Sequence, residues 1–137
     1  MDLANRDSYE HWTSVTIRYC DQDSMGHVNN AIYAEWLEAS RVMLIDELFK
    51  GHTRLSTVLA RMTIDYLNET HFPGTVEVGG RLTRVGNKSF DSGYGVFRGG
   101  VCLATATCVN VFFDLETRRS AVPPEALKAI LRSKVEP

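Results

Sequence analysis

Apolar and polar side chains alternate along several stretches of the chain, and this two-residue period predicts β-strands with one buried face. Val15, Ile17 and Tyr19 alternate with polar neighbours, and residues 58–66 show the same pattern. Further strands are predicted to begin at Val76 and to span 89–98 and 101–113, separated by turns rich in glycine. The pair Gly79 and Gly80 is expected to form a bulge or bend in its strand.

Residues 31–49 form the one long stretch with helical character. Their apolar positions cover more than one stripe, so we expect this helix to be surrounded by protein rather than to lie on a surface. Gly51 is predicted to end it. A second, short helix is predicted after Pro123 and Pro124. Its apolar face is expected to consist of Leu127, Ile130 and Leu131.

The predicted order is one strand, the long helix and then four strands joined by tight turns. Tight turns join antiparallel neighbours, so the sheet is expected to be antiparallel. The simplest packing is an α+β fold in which the curved sheet wraps around the long helix, with the short helix at the C-terminus. The 137 residues suit a single domain, with residues 1–10 as a loose polar leader.

Composition narrows the possible functions. The chain has 15 Lys and Arg against 17 Asp and Glu, a net charge of −2, which argues against a nucleic-acid-binding protein. No apolar run approaches about 18 residues, so no membrane span is expected, and no secretory signal is visible. Three cysteines without a Cys-x-x-Cys motif indicate neither a disulfide framework nor a zinc ribbon, and reduced thiols fit the cytoplasm.

The segment that carries candidate chemistry is RYCDQDSMGHVNNAIY at residues 18–33, between the first strand and the long helix. A helix N-terminus has free backbone N–H groups and a partial positive charge, so it can polarise a carbonyl and stabilise an oxyanion. One such donor is typically worth about 10²–10³ in rate. Asp23 could attack that carbonyl or activate a water molecule. Gly26 would let a substrate approach the backbone closely.

The pattern YxDxDxxGHVNNxxY over residues 19–33 resembles the hotdog superfamily, in the 4-hydroxybenzoyl-CoA thioesterase-like branch of acyl-CoA thioesterases. RVGNKSF at 84–90 and the strand end at 109–114 support the resemblance, which covers about residues 12–132. It implies a five-stranded antiparallel sheet around a central helix. It also implies homodimers or homotetramers with active sites between subunits. Thioester hydrolysis requires no cofactor.

The resemblance implies roles for individual residues. Asp23 matches the catalytic carboxylate, which acts as nucleophile or general base in different relatives. The carbonyl-polarising amide would fall around Asn30, and His27 is a candidate helper. Related acyl-carrier-protein thioesterases have an asparagine where this chain has Met25. This difference argues against an acyl-carrier-protein thioesterase.

Substrate contacts are predicted at Gly26, Asn29 and Tyr33, and also at Lys88 and Ser89 after the Gly86-Asn87 turn. The last two are first choices for contact with phosphate or pantetheine. Asn29 and Asn30 are equally suited to cap the helix. The remaining basic residues that could form a phosphate-binding rim are Arg61, Arg84, Arg98, Arg118 and Arg119.

Other polar residues have simpler interpretations. Asp21 is expected to be structural or solvated, and Glu38 to pair with Arg41 one helical turn away, or alternatively to line a pocket. A metal site built from His27, Asp21, Asp23 and Cys20 lacks a recognised ligand spacing, so no metal is predicted. The other three histidines, expected at the surface, are His11, His52 and His71.

The leading hypothesis is hydrolysis of an acyl-CoA thioester to free CoA and a carboxylic acid. Two alternatives remain open: a non-catalytic module that binds acyl-CoA or lipid, and an enoyl-thioester hydratase. Such hydratases place histidine five residues after the aspartate in an Asn-Pro context, whereas His27 follows Asp23 by four. The acyl group, the pathway and the choice between dimer and tetramer are not fixed by the sequence.

Overall fold

The alternation of apolar residues produces one antiparallel sheet in the computed structural model, which describes residues 1–135. Its order is β1-β3-β4-β5-β2, and the two-residue β6 pairs with the end of β5. The prediction of a five-stranded sheet with one long and one short helix is confirmed, with β6 added. The elements are β1 (His11–Thr16), α1 (Asn30–Leu48), β2 (Leu55–Tyr66), β3 (Thr75–Val85), β4 (Ser89–Arg98), β5 (Val101–Asp114), β6 (Arg119–Ser120) and α2 (Glu125–Val135).

Helix α1 packs one side against the concave face of the sheet. The main core cluster joins helix residues such as Trp36 and Leu37 to strand residues such as Val78 and Val96, all buried. The opposite side of α1 is open in the single chain, where Val42 and Met43 are about half exposed. The expectation that protein surrounds the helix is therefore wrong for one chain alone.

A second core cluster lies beneath the short helix. Leu127 and Leu131 of α2 are fully buried against aromatic residues of β4 and β5. Ile130, predicted on the same face, is instead exposed. Lys128 takes its place and donates from Nζ to Asn87 Oδ1 at 2.9 Å. Neither helix in the described part of the chain is long and apolar enough to cross a membrane.

The first strand begins and ends earlier than the alternation at 15–19 predicts. It pairs with β3 from His11 opposite Gly80 to Thr16 opposite Thr75. Tyr19 is 76% exposed and begins a short 3₁₀ turn, Tyr19–Asp21. The strand stops because the Asp21 carboxylate accepts the backbone N–H of Arg18, which bends the chain away from the sheet.

Residues 1–10 differ from the loose leader that their polarity predicts. The Tyr9 ring is buried against the sheet, and its hydroxyl donates to the Leu3 carbonyl. Arg6 pairs with Glu77 at 3.1 Å and lies over the Trp12 ring. The segment is therefore held by contacts with the first strands.

The glycine pair of β3 does not form the predicted bulge, since the register of β3 shifts between Leu82 and Arg84 instead. The glycines serve close packing. A Cβ added to Gly79 would lie 2.5 Å from the Tyr9 ring, so glycine at this position leaves room for the N-terminal segment.

Candidate active site

The loop before α1 is a tight hairpin held by backbone hydrogen bonds. Gln22 and Val28 pair across it, and the Asp23 N–H donates to the His27 carbonyl at 2.7 Å. Gly26 at its tip has φ +82°, a conformation that a residue with a Cβ adopts only with strain. The hairpin therefore holds residues 22–28 as one unit at the start of the helix.

Asp21 lies at the buried base of this hairpin and is 1% exposed. One carboxylate oxygen accepts the Arg18 backbone N–H at 2.7 Å, and the other accepts the Arg18 guanidinium. The Asp21 carbonyl accepts the Asn29 N–H at 2.9 Å. These bonds favour the structural interpretation of Asp21, because both carboxylate oxygens are engaged in holding the chain.

Asp23 lies at the exposed rim of the same hairpin. Its Oδ1 accepts the backbone N–H groups of Met25 at 2.8 Å and His27 at 3.1 Å. Its Oδ2 has no hydrogen-bond partner among residues 1–135. One oxygen is thus fixed by two amides, while the other is free to meet a ligand.

The first turn of α1 offers a free amide at Asn30. Asn29 caps the helix, with Oδ1 accepting from Ala31 N–H and its carbonyl from Ile32 N–H, each at 2.9 Å. Within the described chain the Asn30 N–H has no acceptor, as expected for a first helical residue whose cap bonds its neighbours. The predicted position of the polarising amide thus coincides with the free donor, and Asn29 acts as a cap.

Tyr33 lies below this free amide, in the core. Its ring is buried between Trp36 and Tyr66, with ring centroids 4.9 Å and 5.3 Å away, and burial raises the pKa of its hydroxyl. The Tyr66 hydroxyl donates to the Asn30 carbonyl at 3.0 Å. Tyr33 thus supports the start of the helix from beneath, and its contact with substrate stays a prediction.

The His27 imidazole points away from Asp23 toward residues that the sequence did not associate with the site. Its Nε2 is 3.0 Å from a Glu69 carboxylate oxygen, and its ring packs edge-on against His71. His71 Nδ1 lies 3.1 Å from the Gly26 carbonyl. His71 is at the surface as predicted, but more than forty residues separate it from His27, so no local spacing could have linked them.

A second loop, residues 67–74, supports the hairpin from the side. The Val28 N–H donates to the Thr70 carbonyl at 3.0 Å. Arg98, at the end of β4, donates to Thr70 Oγ1 and to the carbonyls of His71 and Pro73, at 2.6–3.0 Å. Arg98 was predicted only as one of several rim cations, and its guanidinium instead binds the backbone of this loop.

Lys88 and Ser89 lie at the other end of the sheet from Asp23. Strand β4 begins at Ser89 and ends at Arg98, whose side chain holds the loop beside the hairpin. Nine residue steps at about 3.3 Å each place the two ends roughly 30 Å apart. A single chain therefore brings together Asp23, Gly26, His27, Asn29 and Asn30 but leaves Lys88 and Ser89 remote.

Glu38 and Arg41 form the predicted ion pair in the middle of α1. Arg41 is buried and donates to both Glu38 carboxylate oxygens, at 2.7 Å and 3.0 Å, and to Asn110 Oδ1 at 3.2 Å. Donation to the Glu38 carboxylate raises the pKa of the Arg41 guanidinium. Glu38 also lines an open groove between β1 and α1, together with Trp36, so the two interpretations of this residue are compatible.

Comparison with known proteins places this chain in a family. Residues 15–131 match the model of the thioesterase-like superfamily. The chain belongs to this superfamily. A search of curated proteins finds no match to this thioesterase-like chain.

Three solved structures share the fold of this thioesterase-like chain. A predicted thioesterase from Bacillus stearothermophilus is 30% identical, with 91% of this chain and 96% of that one covered and a TM-score of 0.81. A thioesterase from Thermus thermophilus, complexed with coenzyme A and zinc, is 32% identical over 90% and 92%, with a TM-score of 0.74. A Pseudomonas aeruginosa protein is 25% identical over 94% of both chains, with a TM-score of 0.81. Membership in the superfamily supports thioester hydrolysis as the reaction class.

Proposed function

We propose that this protein hydrolyses an acyl-CoA thioester to free CoA and a carboxylic acid. The observation that carries the proposal is the pairing, on one hairpin and helix start, of a free carboxylate oxygen with a free amide. Asp23 Oδ2 is unengaged at the exposed rim, and the Asn30 N–H opens α1 without an acceptor among residues 1–135. Membership in the thioesterase-like superfamily supports the same reaction class.

The thioester carbonyl oxygen would accept the Asn30 N–H, where the helix dipole favours the negative charge that develops on attack. Asp23 Oδ2 then has two possible roles. As a nucleophile it bonds to the carbonyl carbon, expels CoA thiolate and leaves a mixed anhydride that water cleaves. As a general base it takes a proton from water, whose oxygen bonds to the carbon while thiolate leaves.

The hydrogen bonds to Asp23 suit either role. The amides of Met25 and His27 hold Oδ1, so the carboxylate plane is fixed without occupying Oδ2. A positioned group reacts faster because less orientational freedom is lost on the way to the transition state. His27 assists through its backbone N–H, while its ring faces Glu69.

CoA is the proposed thiol because the Thermus thermophilus relative is complexed with coenzyme A. Lys88 and Ser89 are the proposed contacts for its phosphate or pantetheine groups. Since they lie roughly 30 Å from Arg98 along their own strand, they would serve the site of another copy. A homodimer or homotetramer with active sites between subunits is therefore part of the proposal, as is a cytoplasmic location, which suits reduced cysteines.

The half-exposed side of α1 supports this assembly. Val42 and Met43 leave apolar surface uncovered in one chain, and Trp36 and Glu38 of the same helix line an open groove. A partner covering this side would enclose the groove and create space for an acyl group between two subunits. The length of that group depends on side chains from both.

The experiment that tests the proposal is thiol release from a panel of short, long and aromatic acyl-CoAs. Ellman's reagent reports free CoA, and the loss of thioester absorbance gives an independent readout, because the exposed Cys20 also reacts with the reagent. We expect turnover on at least one substrate in equal amounts by both readouts. The Asp23→Asn variant provides the matched control for non-enzymatic hydrolysis.

Two other outcomes would contradict hydrolysis. Binding of acyl-CoAs without thiol release on any substrate would favour a non-catalytic binding module. Loss of the enoyl-CoA chromophore without thiol release would favour a hydratase.

A further inference from the structure

We propose that His27, Glu69 and His71 form a binding site for a zinc ion at the junction of the hairpin and the 67–74 loop. The three side chains offer ligand atoms that all lie within 4.8 Å of one another. His27 Nε2 is 3.0 Å from one Glu69 oxygen, and His71 Nε2 is 3.9 Å from the other. No other set of three such side chains in residues 1–135 meets this distance.

The donor set is one that zinc uses. Two imidazole nitrogens and one carboxylate oxygen give three protein ligands, with a fourth position for water. Tetrahedral bonds of 2.0–2.1 Å place ligand atoms roughly 3.3 Å apart. The observed separations bracket that value, and the exposed Glu69 and His71 side chains have room to make the remaining adjustment.

The hydrogen bond of His71 prepares it for a metal. Its Nδ1 lies 3.1 Å from the Gly26 carbonyl, which can only accept, so in the neutral imidazole that makes this hydrogen bond the proton is on Nδ1 and the lone pair on Nε2. That Nε2 is the nitrogen that faces Glu69. Metal-binding histidines are commonly oriented in this way, by donation from the second ring nitrogen to a backbone carbonyl.

The backbone also brings the ligands together before any ion binds. Val28 and Thr70 are joined by a main-chain hydrogen bond at 3.0 Å, and Arg98 fixes the carbonyls of His71 and Pro73. His27 is adjacent to Val28, and Glu69 and His71 flank Thr70. A zinc ion at this point would join the hairpin that carries Asp23 to the loop beside it.

The test is a titration of the metal-free full-length protein with zinc sulfate, followed by calorimetry. Cobalt(II), whose visible spectrum reports coordination geometry, serves as a second probe. We expect one zinc ion per chain, a tetrahedral cobalt spectrum and a higher Tm with zinc than with chelator. The Glu69→Gln and His71→Gln variants should each weaken zinc binding by at least about tenfold, because each removes a ligand.

Glu47→Gln is the matched control. Glu47 is 69% exposed and 3.5 Å from His11, while Glu69 is 64% exposed and 3.0 Å from His27, so both substitutions remove a charge from a histidine–glutamate pair. The control should bind zinc like the wild type. Absence of a one-to-one complex at micromolar zinc, or equal binding by all the variants, would overturn the proposal. None of these readouts depends on acyl-CoA hydrolysis.

Discussion

The base and the rim of the hairpin before α1 place two aspartate side chains in opposite environments. Asp21, at the base, is buried, and its two oxygens are bound by the backbone and guanidinium of Arg18. Asp23, at the rim, is exposed, and one of its oxygens is free among residues 1–135. A carboxylate that holds the structure and one with a free oxygen therefore lie only two positions apart in the chain.

The buried polar network around Arg41 resembles the base rather than the rim. Asn110 accepts from Arg41 and donates to Ser92 at 3.0 Å, and Tyr94 donates to the same Ser92 oxygen at 2.8 Å. Its groups use their hydrogen-bonding capacity on one another. A dense polar cluster is thus a weaker sign of chemistry than one exposed carboxylate with an unengaged oxygen.

The sharpest test of this comparison is Asp23→Asn. The amide oxygen can still accept from Met25 and His27, so the hairpin should keep its stability within about 0.5 kcal/mol. Activity should fall by at least about 10² in kcat, because an amide neither takes a proton nor attacks the carbonyl. Steady-state kinetics beside urea unfolding measures both. Near-normal turnover would remove Asp23 from the mechanism.

The same substitution at the base should act on stability instead. Asp21→Asn removes the charge that pairs with Arg18 and leaves a buried donor poorly satisfied, for an expected loss of about 1–2 kcal/mol in the free energy of unfolding. Turnover per folded molecule should stay within about threefold of wild type. If Asp21→Asn lost activity while keeping its stability, the assignment of the two carboxylates would have to be exchanged.

His27→Gln examines the ring of the predicted helper residue, which faces Glu69. The variant keeps the backbone N–H that holds Asp23, so we expect kcat to fall by less than about tenfold, below the range for a group that transfers the proton itself. Kinetics under metal-free conditions separates this effect from any effect of zinc. A loss as large as that of Asp23→Asn would show that the imidazole turns toward the substrate during catalysis.

Lys88→Ala should have the smallest effect. An exposed charge in contact with phosphate typically contributes about 0.2–1 kcal/mol, so KM for acyl-CoA should rise roughly threefold with kcat unchanged. The change should vanish with an acyl-pantetheine substrate, which lacks the nucleotide phosphates. Lys134→Ala, an exposed lysine on α2, is the control and should leave KM unchanged. Equal KM values for Lys88→Ala and wild type on acyl-CoA would place the phosphate contact elsewhere.

The sequence was most informative where local pattern decides structure. Two-residue alternation identified β2, glycine-rich turns marked the bounds of β4 and β5, and the turn formers at 21–30 lie in the hairpin that leads into α1. The predicted end of β1 was wrong because the Asp21 side chain competes with the sheet for the Arg18 backbone N–H.

The candidate site was only partly predictable. The motif singled out Asp23 and Asn30, which lie on one hairpin and helix start, and their catalytic roles stay predictions. Glu69 and His71 could not be found, because tertiary folding alone brings the 67–74 loop to the hairpin. Lys88 is remote because it lies at the start of β4, whereas the end of β4 lies beside the hairpin. The identity of the polar residues alone does not give the direction of that strand.

Arg98 has a consequence for how this site can change over time. Its guanidinium binds mainly carbonyl oxygens of the 67–74 loop, which every residue type supplies, so the loop's path places few demands on the side chains it carries. Gly74 is an exception, since a Cβ there would collide with the Arg98 guanidinium. Substitutions at positions such as 69 and 71 can therefore change the chemistry of the surface beside the hairpin while the path of the loop stays the same.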